Sequence, residues 1–539
     1  MGLTRKLRPL LFGCGVPCMV VFACTMNLAG QSRPMKSPGS RRAATQRGPV
    51  ERADVARFRQ RVETALSASG PDKGFWGMMI TDAATGEVLY ARNAGNYFTL
   101  ASDVKLFTTA LALATLGPEY RVRTTISTTG TLDENGLLNG DLVLIGRGDA
   151  NLSNRKFPYD KKVERDGLPE KALAALADAV VARGVKEIEG SVIADDSFFP
   201  VDRFPDGWTI DDMLWSYGAA VSAIAVNDNT FTLELRPGER EGDAAKFTIE
   251  PASDFYTIEN TIRTSAHGSE EKLAAAREPG SRAIRVSGTM PAGAQPRRLT
   301  IAIEEPAEYA AELLARLLAA RGIKIDGVAR ARHAGDTAVS GENSPADTLI
   351  TERLSESLGE EIRQVNKNSL NLHAELLLLL AAHEKSGATT REEALKFAAD
   401  FYKAAGIAES DVVLSDGSGL SRRDLVTPRA IVQMLNYAAS QPWGEIYRTS
   451  LPVAGEDGTL SERMKNTAAT GHIFAKTGTV EHVVALSGYA TTAGGAHLIF
   501  SILGNNNGLH AQTADTILDA IAVAMIEELG PPPVKKGMK

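Results

Sequence analysis

The sequence predicts an α/β (α+β) protein whose principal domain is assembled from both chain ends around a β-rich insertion. Helical and strand-like segments occur together near residues 75–116 and again from about 350 to 530. Short alternating segments separated by Gly, Asp and Pro fill residues 120–345, as in Asp141-Leu142-Val143-Leu144-Ile145. No fixed-period repeat links these stretches. At 539 residues the chain exceeds one ordinary core, so two or three domains are expected. Its 43% hydrophobic and 23% charged residues are those of a globular protein, and a net charge of -7 excludes a general basic nucleic-acid binder.

Residues 1–30 differ from the rest. Arg5, Lys6 and Arg8 precede an apolar run over 10–28, broken by Gly13, Gly15 and Pro17, and Leu28-Ala29-Gly30 supplies small residues at its end. This reads as a secretory signal peptide, too short and interrupted for a retained spanning helix. A lipoprotein site at Val21-Phe22-Ala23-Cys24 is disfavoured by bulky Phe22. All three cysteines (Cys14, Cys18, Cys24) lie in this leader, so the mature chain would have no thiolate nucleophile and no cysteine zinc cluster. Residues 31–52, rich in Arg, Ser, Pro and Gly, read as a flexible linker.

Structure begins at Gly74. Phe75-Trp76-Gly77-Met78-Met79-Ile80, the turn Asp82-Ala83-Ala84-Thr85-Gly86 and Glu87-Val88-Leu89-Tyr90 read as strand, turn, strand. A helix opens near Ser102, carries Phe107, Ala110, Leu111 and Ala114 at helical spacing, and stops at Gly117-Pro118. Helical patterns return over 352–383 and 391–405. Apolar strands are expected over 483–490 and 497–503 around Thr492-Ala493-Gly494-Gly495. A closing helix aligns Ala514, Ile517, Leu518, Ile521 and Met525, and Gly530 with three prolines ends it before a basic tail, 531–539.

Three short motifs carry chemistry. Ser-x-x-Lys occurs at Ser102, Ser153 and Ser269, but only Ser102 opens a helix apolar enough to bury its lysine. Residues i and i+3 share a helix face, so a desolvated Lys105 could serve as a neutral base toward the Ser102 hydroxyl. Ser369-Leu370-Asn371, the one Ser-x-Asn in the chain, precedes an apolar helix. Its hydroxyl could pass a proton to a leaving amine, and its amide could hold a substrate carbonyl and the lysine. Lys476-Thr477-Gly478 lies in a strand-like segment, where Lys476 and Thr477 could bind a carboxylate and Gly478 leaves room for a peptide. The N–H groups of Thr479 and Ser102 could form an oxyanion hole. Taken singly, each has a plainer structural reading: a capping serine, a second cap, a solvated edge lysine.

In the order Ser-x-x-Lys, Ser-x-Asn, Lys-Thr-Gly, these motifs resemble the penicillin-binding protein and serine β-lactamase superfamily. The long gap between Lys105 and Ser369 is similar to that of the class C low-molecular-mass penicillin-binding proteins, the D-alanyl-D-alanine carboxypeptidase/endopeptidase family (peptidase family S13). Gly146-Arg147-Gly148-Asp149, Asp195-Asp196-Ser197, the stretch 208–229, Asp416-Gly417-Ser418-Gly419-Leu420-Ser421-Arg422 and the stretch 451–460 look like the same family. The resemblance spans about 74–530. It implies a penicillin-binding transpeptidase-like fold, with a catalytic domain from 53–122 and 346–530, an inserted domain II from 123–227 and 299–345, and an inserted domain III from 228–298. It further implies that Ser102, Lys105 and Ser369 are catalytic and that Asn371, Lys476, Thr477, Gly478 and Thr479 bind substrate. Asp212 and Arg422 would hold the charged ends of a diaminopimelate-type side chain.

The implied partners are peptidoglycan stem peptides and, as covalent inhibitors, β-lactam antibiotics; the location is periplasm or cell envelope, and peripheral membrane association is compatible with the leader. No cofactor, metal or nucleic acid enters this chemistry. A serine β-lactamase and a catalytically weak binding protein are the alternatives within reach of the same motifs. The chain departs from the family pattern at Leu370, often Asp; at Arg147, where Gly is expected; and in carrying Asp103 directly after the nucleophile. Gly-x-Ser-x-Gly and His-Glu-x-x-His are absent, Ala475 spoils a Walker-like reading of 471–477, and His373 and His383 read as structural.

Overall fold

Five antiparallel strands drawn from both ends of the chain form the sheet around which the rest is arranged. Their order is Val88–Arg92, Phe75–Asp82, His497–Asn505, Val483–Thr491, Ile473–Val480, with Phe75 opposite Asn505. The computed structural model describes residues 52–68, 70–200, 202–336 and 348–530. The leader, most of the linker and the basic tail expected from sequence lie outside the described residues. The described residues form one compact unit.

Strand alternation with a period of two gives this sheet two buried faces. Trp76, Met78, Ile80, Leu486, Phe500 and Ile502 meet the helices Ala53–Leu66 and Ala511–Glu528 through Phe58, Val62, Leu518 and Met525. Ala485, Tyr489, Ile499 and Leu503 face the opposite layer, which contains the helices Lys105–Leu116, Asn371–Ser386 and Pro428–Ala439. Lys105–Leu116 is buried from Lys105 through Leu113, and Asn371–Ser386 from Leu372 through Ala382. Helices apolar on every side belong in a protein interior, and these two pack against each other beneath the sheet.

The intervening chain has its own core. A second five-stranded sheet runs Ala329–Arg332, Val192–Asp195, Leu142–Ile145, Arg123–Thr128, Thr348–Leu354. The helices Lys171–Ala182 and Pro306–Ala319 contribute Leu173, Leu176, Leu313 and Leu314 to the same core. Strands between Thr230 and Ala302 make a three-stranded and a four-stranded sheet. The mixed α/β architecture agrees with the expectation, with three local differences. The two helices of this middle region differ from the mainly β expectation, although Leu173, Leu176, Ala177 and Val180, and Ala307, Ala310, Leu314 and Leu318, do recur at helical spacing. Residues 352–354, expected to be helical, pair with Arg123–Thr128 as the end of a strand. The helix Ala53–Leu66 begins ahead of Gly74; its Val55, Phe58, Val62 and Leu66 recur at helical spacing between charged residues.

A buried ionic cluster joins the middle region to the helices below the sheet. Asp228 accepts from Arg155 Nη2 at 2.5 Å and Arg165 Nη2 at 2.8 Å, and lies 3.0 Å from His373 Nε2. His373 Nδ1 lies 2.6 Å from Glu361 on the helix Leu358–Asn368. With a carboxylate at each ring nitrogen, both must carry protons. Burial lowers the imidazole's proton affinity, yet Glu361 and Asp228 outweigh it and hold the group up at about 8, against 6.5 for a free histidine. Because the folded value is the higher one, the stabilisation is complete below pH 6.5 and disappears as pH rises through about 8. Between about pH 6 and about pH 9 the parent should therefore lose up to ~2 kcal/mol more unfolding free energy than His373→Gln, measured by urea denaturation. Identical pH slopes for the two proteins would contradict the charged-histidine assignment.

Candidate active site

Ser102 lies on the single turn Ala101–Val104, which runs directly into the helix Lys105–Leu116. The expected helix thus begins as a 3₁₀ turn. Ala101 just before it has φ 49°, a left-handed conformation that ordinary side chains adopt reluctantly. Its carbonyl is packed so tightly against Gly419 that a Cβ there would stand 1.9 Å from the oxygen. Glycine at 419, with φ 82°, is therefore required for the two segments to meet.

Lys105 is fully buried. Its Nζ lies 2.6 Å from Asn371 Oδ1, 2.6 Å from the Ser418 carbonyl oxygen and 2.9 Å from Ser102 Oγ. The first two oxygens can only accept, so they take two N–H donors. The third tetrahedral position faces a hydroxyl, which can donate as well as accept. Burial, with Lys476 as a second positive group, drives the Lys105 amine well below the usual lysine value; Asp416, Glu375 and Asp103 pull the other way. A neutral amine here donates to both carbonyls and points its lone pair at the Ser102 proton. An amine and a hydroxyl so placed could work as general base and nucleophile.

Ser369 and Asn371 lie where the helix Leu358–Asn368 breaks and Asn371–Ser386 starts. Ser369 does not cap the second helix. It ends the first in the left-handed region, φ 58°, and Leu370 stands at the next N-cap. This kink turns Asn371 toward Lys105, while Asn371 Nδ2 donates to the Tyr217 carbonyl at 2.8 Å. Ser369 Oγ meets the third motif: Lys476 Nζ lies 2.9 Å from it and donates to the Thr477 carbonyl at 2.8 Å. Lys476 is fully buried, which lowers its proton affinity. Thr477 Oγ1 is 2.7 Å from Thr459 Oγ1. Gly478 passes so close to the turn that a Cβ would stand 2.3 Å from the Leu100 carbonyl and 3.2 Å from the Ser102 nitrogen. The exposed Thr479 follows on the same strand. The three motifs thus meet around one hydroxyl.

Asp212 accepts from Thr209 N and Oγ1 at 3.2 and 2.7 Å, and lies beside the Tyr217 hydroxyl. Arg422, exposed, acts electrostatically on the same tyrosine, so both residues gather one step from Asn371. The other Ser-x-x-Lys sites stay apart: Ser153 binds the Ala225 carbonyl and Lys272 is solvated. A cavity of about 250 Å³ opens beside Ser369 and Asn371, bounded by Tyr217 and Arg165.

Sequence reasoning overlooked Ser418 as a partner of the lysine because its contribution is a backbone carbonyl. It overlooked Thr459 as a partner of Thr477, although both stretches were singled out. Buried Asp416 shapes the Ser418 loop: it accepts from Trp208 Nε1, Ser418 N and Oγ, Gly419 N and Ser421 N at 2.6–3.1 Å. Glu375 holds the same loop through Gly417 N at 2.9 Å and is itself bound by Arg391 at 2.7 Å.

The family model described as the D-Ala-D-Ala carboxypeptidase 3 (S13) family matches residues 59–527. The D-alanyl-D-alanine carboxypeptidase of Actinomadura sp. (strain R39) is 34% identical over 493 residues, 89% of this chain and 86% of the relative. The D-alanyl-D-alanine carboxypeptidase DacB of Haemophilus influenzae is 24% identical over 440 residues, 81% of this chain and 86% of the relative. Among solved structures, penicillin binding protein 4 (dacB) from Haemophilus influenzae shares the fold with a TM-score of 0.72 at 22% identity, covering 87% of this chain and 98% of that one.

Removing the Asp416 carboxylate leaves several buried donors unpaired, a loss expected to total about 3 kcal/mol or more. Asp416→Ala should show that drop in urea unfolding, and a change under about 1 kcal/mol would mean the loop holds its shape without it.

Proposed function

The chain belongs to the D-Ala-D-Ala carboxypeptidase 3 (S13) family of serine-type peptidases, and from that premise we propose that it is an exported enzyme that removes terminal D-alanine from peptidoglycan stem peptides through an acyl-serine intermediate. The observation that carries this reading is the buried Lys105 amine, committed to two carbonyls and left facing Ser102 Oγ. Lys105 takes the hydroxyl proton as Oγ bonds to the carbonyl carbon between the two D-alanines. The backbone N–H groups of Ser102 and Thr479 receive the oxyanion. The carbon–nitrogen bond then breaks, and Ser369 relays the proton to the departing amine. Water attacks the ester with Lys105 again as base, releasing the shortened peptide and restoring the hydroxyl.

Lys476 and Thr477 engage the terminal carboxylate, Asn371 positions the acyl amide, and Gly478 lets the peptide lie along the strand. Asp212 and Arg422 receive the ammonium and carboxylate of a diaminopimelate-type side chain. Cross-links with the same D-Ala linkage would be cleaved as an endopeptidase. β-Lactams would acylate Ser102 by the same attack; a Haemophilus influenzae penicillin binding protein 4 of the same fold has been solved with a β-lactam bound. In domain terms, 53–122 with 346–530 carry the catalysis, while 123–227 with 299–345 and 228–298 form two inserted domains. Export rests on the leader read in residues 1–30, which the envelope location of peptidoglycan requires.

Ser102→Ala should abolish both release of D-alanine from a D-Ala-D-Ala peptide and labelling by a fluorescent penicillin. Retained labelling, located elsewhere by peptide mass spectrometry, would end the assignment. Lys105→Ala should slow acylation by about 10²-fold or more, as loss of a general base does. Measurable peptide turnover separates the enzyme from a mere penicillin trap, and slow hydrolysis of the penicilloyl ester separates it from a β-lactamase.

A further inference from the structure

Asp103 follows Ser102 in the chain, and its side chain is fully buried. Neither carboxyl oxygen reaches hydrogen-bonding geometry. A bare carboxyl enclosed beside a reacting serine is costly to keep, so its surroundings matter. Directly under the turn, strand register lines up three buried polar side chains across one sheet face: Lys476 opposite Ser487, and Ser487 opposite Ser501. Ser487 Oγ donates to Ser501 Oγ at 3.0 Å, yet stands near enough to Asp103 to favour the ionised carboxylate.

We propose that Asp103 is a positioning residue for the reaction, its buried carboxylate being the counter-charge that keeps Lys476 an ammonium while the second buried amine, Lys105, stays neutral. The charge count supports this. Asp416 and Glu375 act on Lys105 but are held by donors of their own, Trp208, Gly419 and Arg391. Asp103 is thus the buried carboxyl without such a donor that acts on both amines, and one positive charge beside it is the least costly population. Lys105 has its two acceptors and needs no third proton, whereas Lys476 needs its charge to hold a substrate carboxylate. The groups facing Asp103 are Lys476 and Ser487 from the sheet, Lys105 from its own helix, the Tyr447 hydroxyl, which donates to the Leu106 carbonyl, and Arg463, which is bound to Asp515 and Asp519. Burial raises the Asp103 carboxyl and lowers Lys476, and each charge opposes the other's shift.

This inference rests on the reading that Lys476 binds the terminal carboxylate. Asp103→Asn, made in the full chain, keeps the shape and removes the charge. For a D-Ala-D-Ala peptide, the basic limb of kcat/KM should then move to lower pH by about one unit or more, since Lys476 gives up its proton sooner. At about pH 8, KM should rise roughly 10-fold while kcat falls less than about 3-fold, the pattern of lost binding rather than lost chemistry. Ser487→Ala, which withdraws support from the carboxylate and leaves the backbone untouched, should move the limb in the same direction by a smaller amount. It also carries the test should the Asn variant fail to fold. An unmoved basic limb in the folded variant, or a loss confined to kcat, overturns the inference. A parent protein that penicillin does not acylate at Ser102 overturns the underlying reading instead.

Discussion

Everything about this site depends on keeping one amine dry. Lys105 has a low proton affinity chiefly because it is buried, with Lys476 as a second positive group adding to the effect, and apolar helices supply much of that burial beneath the sheet. Two carbonyl oxygens from segments far apart in the chain then fix where its lone pair points. A lysine so placed costs folding free energy, because desolvation of even a neutral amine must be offset by good hydrogen bonds.

Much of the support comes from the middle region. Trp208 donates to Asp416, Tyr217 offers its carbonyl to Asn371, and Asp228 holds His373 two residues beyond Asn371. Each contact reaches a side chain or loop that touches the lysine or its neighbours. The middle region therefore acts as a clamp on the second motif and on the Ser418 loop, in addition to walling one side of the groove. His373 was read from sequence as structural, and its place in the ionic cluster is a structural role of this kind.

What could be read in the residues beforehand was uneven for physical reasons. The mixed α/β class was legible because the end segments keep clear periods of two or 3.6 residues. The motif residues were legible because side-chain type and spacing encode them: Ser102 and Lys105 lie one helical turn apart, and Ser369, Asn371 and Lys476 form short patterns. The left-handed turns at Ala101 and Ser369 carry no signal, since neither residue is one that favours positive φ. Ser418 acts through its main chain, which any residue would provide. Asp103 was noticed only as a departure, because its significance arises from a cross-strand register that sequence does not display.

The sheet places residue 75 opposite residue 505. The hairpin that leads into Ser102 can therefore find its neighbouring strand only after nearly all of the polypeptide has left the ribosome. Pairings this distant in sequence form slowly and late. Ser102 and Lys105 are made early, but the burial that lowers the proton affinity of the Lys105 amine is complete only when the last strands arrive. Assembly order thus ties the low proton affinity of Lys105 to the arrival of the last strands.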